Sequence, residues 1–152
     1  MKNKLKVDPI KNGTVIDHIA SGKALLVADI LKLNPPENLM MVGVNLSSQK
    51  MGKKDIIKIE NRVLSNDEVN SIALISPKAT LIIIEDFKVV KKYNIALPKT
   101  IKNHIICPNA NCVTNIEKVP TRFELANSEP VQVRCEYCEK KYDIGDVKFR
   151  FV

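Results

Sequence analysis

All four cysteines of the 152-residue chain fall in its last third, as Cys107-x4-Cys112 and, after 22 intervening residues, Cys135-x2-Cys138. Two short-spaced pairs, each on a tight turn, can bring four thiolates to the corners of a tetrahedron about a zinc ion, with sulfur about 2.3 Å from the metal. Pro108, Asn109 and Asn111 supply turn chemistry for the first pair. Disulfides are the alternative, but cytosolic thiols are kept reduced, and the spacing matches neither common ferredoxin pattern of an iron-sulfur cluster. Four thiolates leave no coordination position for water, so one Zn2+ per chain is expected to be structural rather than catalytic. Neither histidine is needed: His18 is remote, and His104 reads as a surface strand residue. The segment 102–152 is too short for its apolar residues alone to outweigh chain entropy. It is therefore predicted to be a small all-β, zinc-ribbon-like domain whose folding the metal completes.

The residues before the cysteines alternate strand-like and helix-like segments. A strand is predicted over 14–19, after the turn signal Lys11-Asn12-Gly13. Leu26, Ile30 and Leu33 form a helical stripe within 22–33, closed by Asn34-Pro35-Pro36. A strand over 39–46, a polar turn over 47–52 and a strand over 55–60 follow, the last with Ile57 and Ile59 on one face and Ile56, Lys58 and Glu60 on the other. Ser65-Asn66-Asp67-Glu68 has the form of a capping box, opening a second helix with Val69, Ile72 and Ala73 on its apolar stripe and Pro77 as its stop. Two strands rich in Ile and Val are predicted over 80–85 and 87–92. The order is α+β: a ferredoxin-like βαββαβ domain over 1–97, with one extra strand, joined near Leu97-Pro98-Lys99-Thr100 to the domain over 102–152. A sheet with helices on one face leaves its other face for a ligand or a partner subunit, and the edge strand around 87–90 could pair with a second copy.

Lys and Arg outnumber Asp and Glu by 24 to 17, a formal charge of +7, which attracts anions without choosing among them. The basic pairs at 53/54, 91/92 and 140/141 lie apart, with no block of five or six like charges, so nucleic acid is not the expected partner. The competing reading would set Lys141, Lys148 and Arg150 against phosphates, with Tyr137 or Tyr142 as stacking surfaces. No apolar run approaches the roughly 20 residues of a membrane span, and the first residues lack the apolar core of a secretory signal. A cytoplasmic protein with no membrane partner is expected. Catalysis is not: Asp17 and His18 are the conspicuous candidates, and as neighbours on a strand they should point to opposite faces.

Four ordered segments carry a specific resemblance: Val-Asp-Pro-Ile-Lys-Asn-Gly-Thr-Val-Ile-Asp-His-Ile at 7–19, Met-Gly-Lys-Lys-Asp-Ile-Ile-Lys-Ile-Glu-Asn at 51–61, Cys-Pro-Asn-Ala-Asn-Cys at 107–112 and Cys-Glu-Tyr-Cys at 135–138. Together they resemble the regulatory chain of aspartate carbamoyltransferase over nearly the whole length. The resemblance implies a non-catalytic subunit of pyrimidine biosynthesis. Its N-terminal domain would bind nucleoside triphosphates (CTP, ATP, UTP) and form a homodimer, and its zinc domain, with Cys107, Cys112, Cys135 and Cys138, would dock on the catalytic chain. It also implies roles by position. Val7, Asp8, Pro9 and Ile10 would meet the base through backbone groups, and Asp17 would accept from the ribose hydroxyls. Lys58 and Lys92 would meet the triphosphate with Lys54 and His18 nearby, while Val15, Ile84 and Val89 would line the base and sugar pocket. The sequence departs from the family's pattern at Asp8, Pro9, Ile82 and Phe87, so base selectivity is not part of what the resemblance implies.

Overall fold

The computed structural model describes residues 8–31 and 38–150. The chain divides into two compact units, Met1–Ala96 and Leu97–Val152. The first carries strands β1 (Gly13–Ala20), β2 (Met40–Ser48), β3 (Gly52–Glu60), β4 (Thr80–Glu85) and β5 (Lys88–Asn94), with helices α1 (Ala24–Ile30) and α2 (Asn66–Ile75). The strands form one sheet in the order β2-β3-β1-β4-β5, with each neighbouring pair antiparallel. This is the expected ferredoxin-like arrangement with one added edge strand. Ile16, Ile19, Ile57, Ile59 and Leu81 are buried on the helix-covered side with Val27, Leu31, Ile72 and Leu74.

The capping box at α2 forms as the sequence predicts: the Glu68 amide donates to Ser65 Oγ at 3.2 Å and the Ser65 amide to Glu68 Oε1 at 2.9 Å. Glu68 also pairs with Arg62, whose guanidinium donates to the Leu31 carbonyl and so ties the start of α2 to the end of α1. For α1 the local signal is absent, since Lys23 makes no side-chain cap. The cap comes from β3: Asp55, fully buried, accepts from the amides of Gly22 (2.9 Å) and Ala24 (3.0 Å) on one oxygen and from Asn45 (2.8 Å) on the other. That anchor fixes the rotation of α1. Ala24, Val27, Ala28 and Leu31 are buried, and the predicted stripe at Leu26 and Ile30 is only partly covered. Two overlapping apolar stripes were available to this helix, and periodicity alone does not choose between them. Leu33 and Asn34-Pro35-Pro36 lie outside the described residues.

Three further expectations change. Strands β2 and β3 extend into the segment read as a turn, leaving only Gln49 to Met51 between them. Asp86 and Phe87 form the two-residue hairpin turn, both left-handed (φ 51° and 62°), so Phe87 is not a strand residue. Tertiary bonds hold this turn: the Asp86 amide donates to Asn12 Oδ1 and the Phe87 amide to the Lys11 carbonyl. Finally, β1 carries a bulge between Ile16 and Ile19, with His18 left-handed at φ 56°.

The second unit contains a sheet in the order β10 (Lys141–Asp143), β9 (Val131–Cys135), β8 (Arg122–Ser128), β6 (Thr100–Lys102), and a two-stranded ribbon of β7 (Ile105–Ile106) with β11 (Lys148–Phe149). Its apolar centre is Phe123, Ile105, Val133 and Ile101. The expectation of an all-β unit needs one amendment: the single-turn helix α3 (Val113–Ile116) follows Cys112, and a 3-10 turn spans Ile144–Asp146.

Gly13 opens β1 at φ 143°, and a Cβ there would sit 2.1 Å from the Ile59 carbonyl oxygen. Gly13→Ala should therefore lower stability by about 1–3 kcal/mol. Asp55→Ala, which strips three amides of their buried acceptor, should cost roughly 2–4 kcal/mol. Denaturant titration of each variant checks both values.

Candidate functional site

The metal centre is built by two knuckles. In the first, Cys112 follows a turn closed by its own amide on the Asn109 carbonyl (2.9 Å), and Asn115 of α3 donates to the carbonyls of Cys107 and Asn109. In the second, the Cys135 amide donates to the Lys140 carbonyl and the Glu139 amide to the Cys135 carbonyl, with Glu139 left-handed. The four sulfurs lie within 4.8 Å of one another; Cys107 and Cys138 are 3.7 Å apart, and Cys112 and Cys135 3.8 Å. A tetrahedron with metal–sulfur bonds near 2.3 Å has edges of about 3.8 Å, so the donor set fits a four-coordinate thiophilic metal. All four predicted ligands converge. His104 is not among the metal-competent group found in the described residues.

The surroundings favour thiolate unevenly. Burial pushes the Cys107 thiol up to about 12 despite the Asn109 amide aimed at it. Burial acts the same way on Cys138, but the Lys140 amide and the Asn109 side chain overcome it and bring that thiol down to about 7. Cys112 is also lowered, because donors from Thr114 outweigh its burial. Tyr142, proposed above as a stacking surface, instead faces the sulfurs of Cys107 and Cys138, and its burial there raises its hydroxyl. Tyr137 is half-exposed.

A second constellation lies on the sheet face opposite the helices. Residues directly across an antiparallel pair share a face, and the registers Met41↔Lys58, Lys58↔Val15, Val15↔Ile82 and Ile82↔Lys92 run as one row across all five strands. The neighbouring row holds Asp17 opposite Thr80, and on the other side Ile84 pairs with Val89. Ile10, Val15 and Ile56 form a buried cluster there, with Met41, Leu46, Ile82 and Ile84 packed against it. Lys54 Nζ lies 2.8 Å from Asp17 Oδ1, and Lys58 Nζ donates to the Asp8 carbonyl at 3.0 Å. Pro9 is exposed, and Val7 lies outside the described residues.

The expectation that Asp17 and His18 point apart is overturned. The bulge rotates His18 so that its Nδ1 stands 3.9 Å from Asp17 Oδ2 and 3.1 Å from Thr80 Oγ1. Strand alternation misses this because it holds only for regular pleat. Burial raises the Asp17 carboxyl, but Lys54 and the His18 amide overcome it and hold it below the usual carboxylate range. Burial lowers the His18 imidazole below its ordinary value, opposed by Asp17 and assisted by Lys54, Lys50 and Lys92. Lys58 is likewise lowered by burial. Apolar floor, clustered ammonium groups and one carboxylate suit a ligand with an aromatic ring, hydroxyls and phosphates.

Two family models match the chain: the allosteric domain of the aspartate carbamoyltransferase regulatory chain over 5–96, and the metal binding domain of the same chain over 99–148. The chain belongs to the aspartate carbamoyltransferase regulatory chain family. Relatives bearing that name include those of Thermococcus sibiricus (50% identical, covering 90% of this chain and 91% of the relative) and Pyrococcus abyssi (50%, covering 95% and 96%). That of Methanosphaera stadtmanae is 44% identical over 99% of both chains. This is accordingly a regulatory, non-catalytic chain with an allosteric domain and a metal-binding domain. Among the described residues no helix is long and apolar enough to cross a membrane.

Removing the metal with a strong chelator, or replacing a ligand in Cys112→Ala, should unfold the Leu97–Val152 unit and leave the first unit's sheet in place. Amide resonances followed during metal removal should broaden or collapse for residues after 97 while those of β1 to β5 persist.

Proposed function

We propose that the face carrying Val15, Lys58 and Lys92 binds nucleoside triphosphates such as CTP, ATP and UTP. The cysteine centre is proposed to hold one structural Zn2+, so that the Leu97–Val152 unit can dock on the catalytic chain of aspartate carbamoyltransferase. The observation that carries the first part is the single row Met41-Lys58-Val15-Ile82-Lys92, which sets one ammonium group on each side of an apolar floor. In this reading Asp17 accepts from ribose hydroxyls, which suit a carboxylate acceptor. Lys54, Lys58, Lys92 and His18 face the phosphates, while Ile10, Val15, Ile84 and Val89 pack on base and sugar and the backbone of 7–10 meets the base edge. A nucleotide biases a catalytic partner only by binding two arrangements of the assembly unequally. Homodimerisation through the first unit, domain limits at 1–97 and 102–152, and a cytoplasmic setting complete the proposal.

Four sulfurs at tetrahedral spacing with no open position support the reading of a structural d10 ion such as Zn2+. Such a centre carries a net charge of −2, so the folded unit stays close to neutral and docks without the charge of a polyanion binder.

Lys58→Ala should weaken CTP or ATP binding by roughly 1–3 kcal/mol, the loss of a charge-assisted hydrogen bond, without releasing the catalytic chain. Unchanged affinity in calorimetric titration removes Lys58 from the site. Protons supply a second test. His18 sits below its ordinary value in the free chain, and a bound triphosphate would raise it, so the complex holds more protons than the free protein. Affinity should therefore rise as pH falls from about 8 toward 6, with proton uptake visible as buffer-dependent binding heat and lost in His18→Gln. Co-purification with catalytic chains from the same cell decides the docking part.

A further inference from the structure

A tetrathiolate centre has a demand that its four ligands cannot meet themselves. Each sulfur carries negative charge in a site shielded from water, and each needs hydrogen-bond donors. Main-chain amides serve all four: Asn109 to Cys107, Tyr137 and Cys138 to Cys135, Lys140 to Cys138, and Thr114 to Cys112. Cys112 has a side-chain donor besides. It is 2% exposed and stands at the N-cap position of α3, which has no oxygen-bearing cap. Its sulfur receives a side-chain hydroxyl: Thr114 Oγ1 lies 3.2 Å from Cys112 Sγ.

Thr114 is itself 3% exposed, so its hydroxyl has little access to water and must find its partner inside the protein. A threonine within a helix ordinarily turns its hydroxyl back to a carbonyl three or four residues earlier. Here α3 has a single turn and the residues before it belong to the cysteine knuckle, so the sulfur takes that place.

Resting on the reading of this unit as a metal centre, we propose that Thr114 is a positioning residue for the metal: its buried hydroxyl fixes the rotamer of Cys112 and stabilises that sulfur as a thiolate ligand. The role belongs to the hydroxyl, not to the bulk of the side chain. Thr114→Val keeps the shape and removes the donor, whereas Thr114→Ser keeps the donor and removes a methyl group.

The test uses the full-length chain loaded with Zn2+ or Co2+. Loss of a hydrogen bond to a coordinating group costs roughly 10- to 100-fold in metal affinity. Thr114→Val should accordingly bind Zn2+ that much more weakly in chelator competition, and Thr114→Ser should stay within a few-fold of the parent. In the Co2+ form, the sulfur-to-metal charge-transfer band should move to lower energy in Thr114→Val, because an unbonded thiolate lone pair is easier to ionise, and return in Thr114→Ser. Equal affinity and an unmoved band in Thr114→Val overturn the proposal, as does an equal loss in Thr114→Ser, which would assign the effect to packing. If Thr114→Val takes up no metal, Thr114→Ala decides, since it lacks the donor and cannot clash: parental affinity there overturns the proposal, and a 10- to 100-fold loss supports it. Failure of the parent chain itself to take up either ion would count against the metal centre, and is distinguishable from failure of the Thr114 role because it precedes any variant.

Discussion

In each unit of this chain main-chain amides converge on buried side-chain acceptors, and the surrounding elements take their positions from them. The Asp55 carboxylate, fully buried, collects the amides of Gly22, Ala24 and Asn45. It thereby joins β3 to the start of α1 and to the irregular stretch of β2. In the second unit the cysteine sulfurs collect amides and the Thr114 hydroxyl. Ionised groups out of water are costly unless several donors converge on them, so donor geometry is restrictive. The chain bends to satisfy it, which is why left-handed residues such as Asn45 and Glu139 stand beside these centres.

The same restriction separates the two faces of the first sheet. With α1 and α2 held on one side, β1 can offer Ile16 to the core and Val15 and Asp17 to the other face. The bulge then breaks the alternation and adds His18 to the Asp17 side. A group of charges with an apolar floor arises from residues that are 50 or more positions apart in some cases, such as Asp8 with Lys58. The charges of this face act on one another: Lys54 helps hold the Asp17 carboxyl below its usual range, and burial with nearby ammonium groups lowers the His18 imidazole.

Much of this was legible in the residues alone, for specific reasons. The cysteine spacing limits itself to a few chemistries, and the four sulfurs meet as that spacing implies. The box at Ser65 and Glu68 is a local motif and forms locally. Periodicity alone misplaces the α1 stripe because the helix's cap, Asp55, is 31 residues from Ala24 and sends no local signal. Phe87 escapes a local reading because a left-handed Phe is intrinsically unfavourable, and contacts of the distant Asn12 and Lys11 with the turn hold it there. Thr114 could have been suspected from its place two residues after a ligand, where its hydroxyl can return to the sulfur.

By itself, then, the sequence determined the α+β class of the first unit and the four cysteines that converge in the second, because these depend on residue type, short spacing and alternation within a single segment. Tertiary structure decided which stripe of α1 is buried, that Asp17 and His18 share a side, and that Lys58, Val15 and Lys92 stand in one row. Those outcomes depend on strand register and on buried hydrogen bonds between distant segments, and a register shift of one residue would have exchanged the faces.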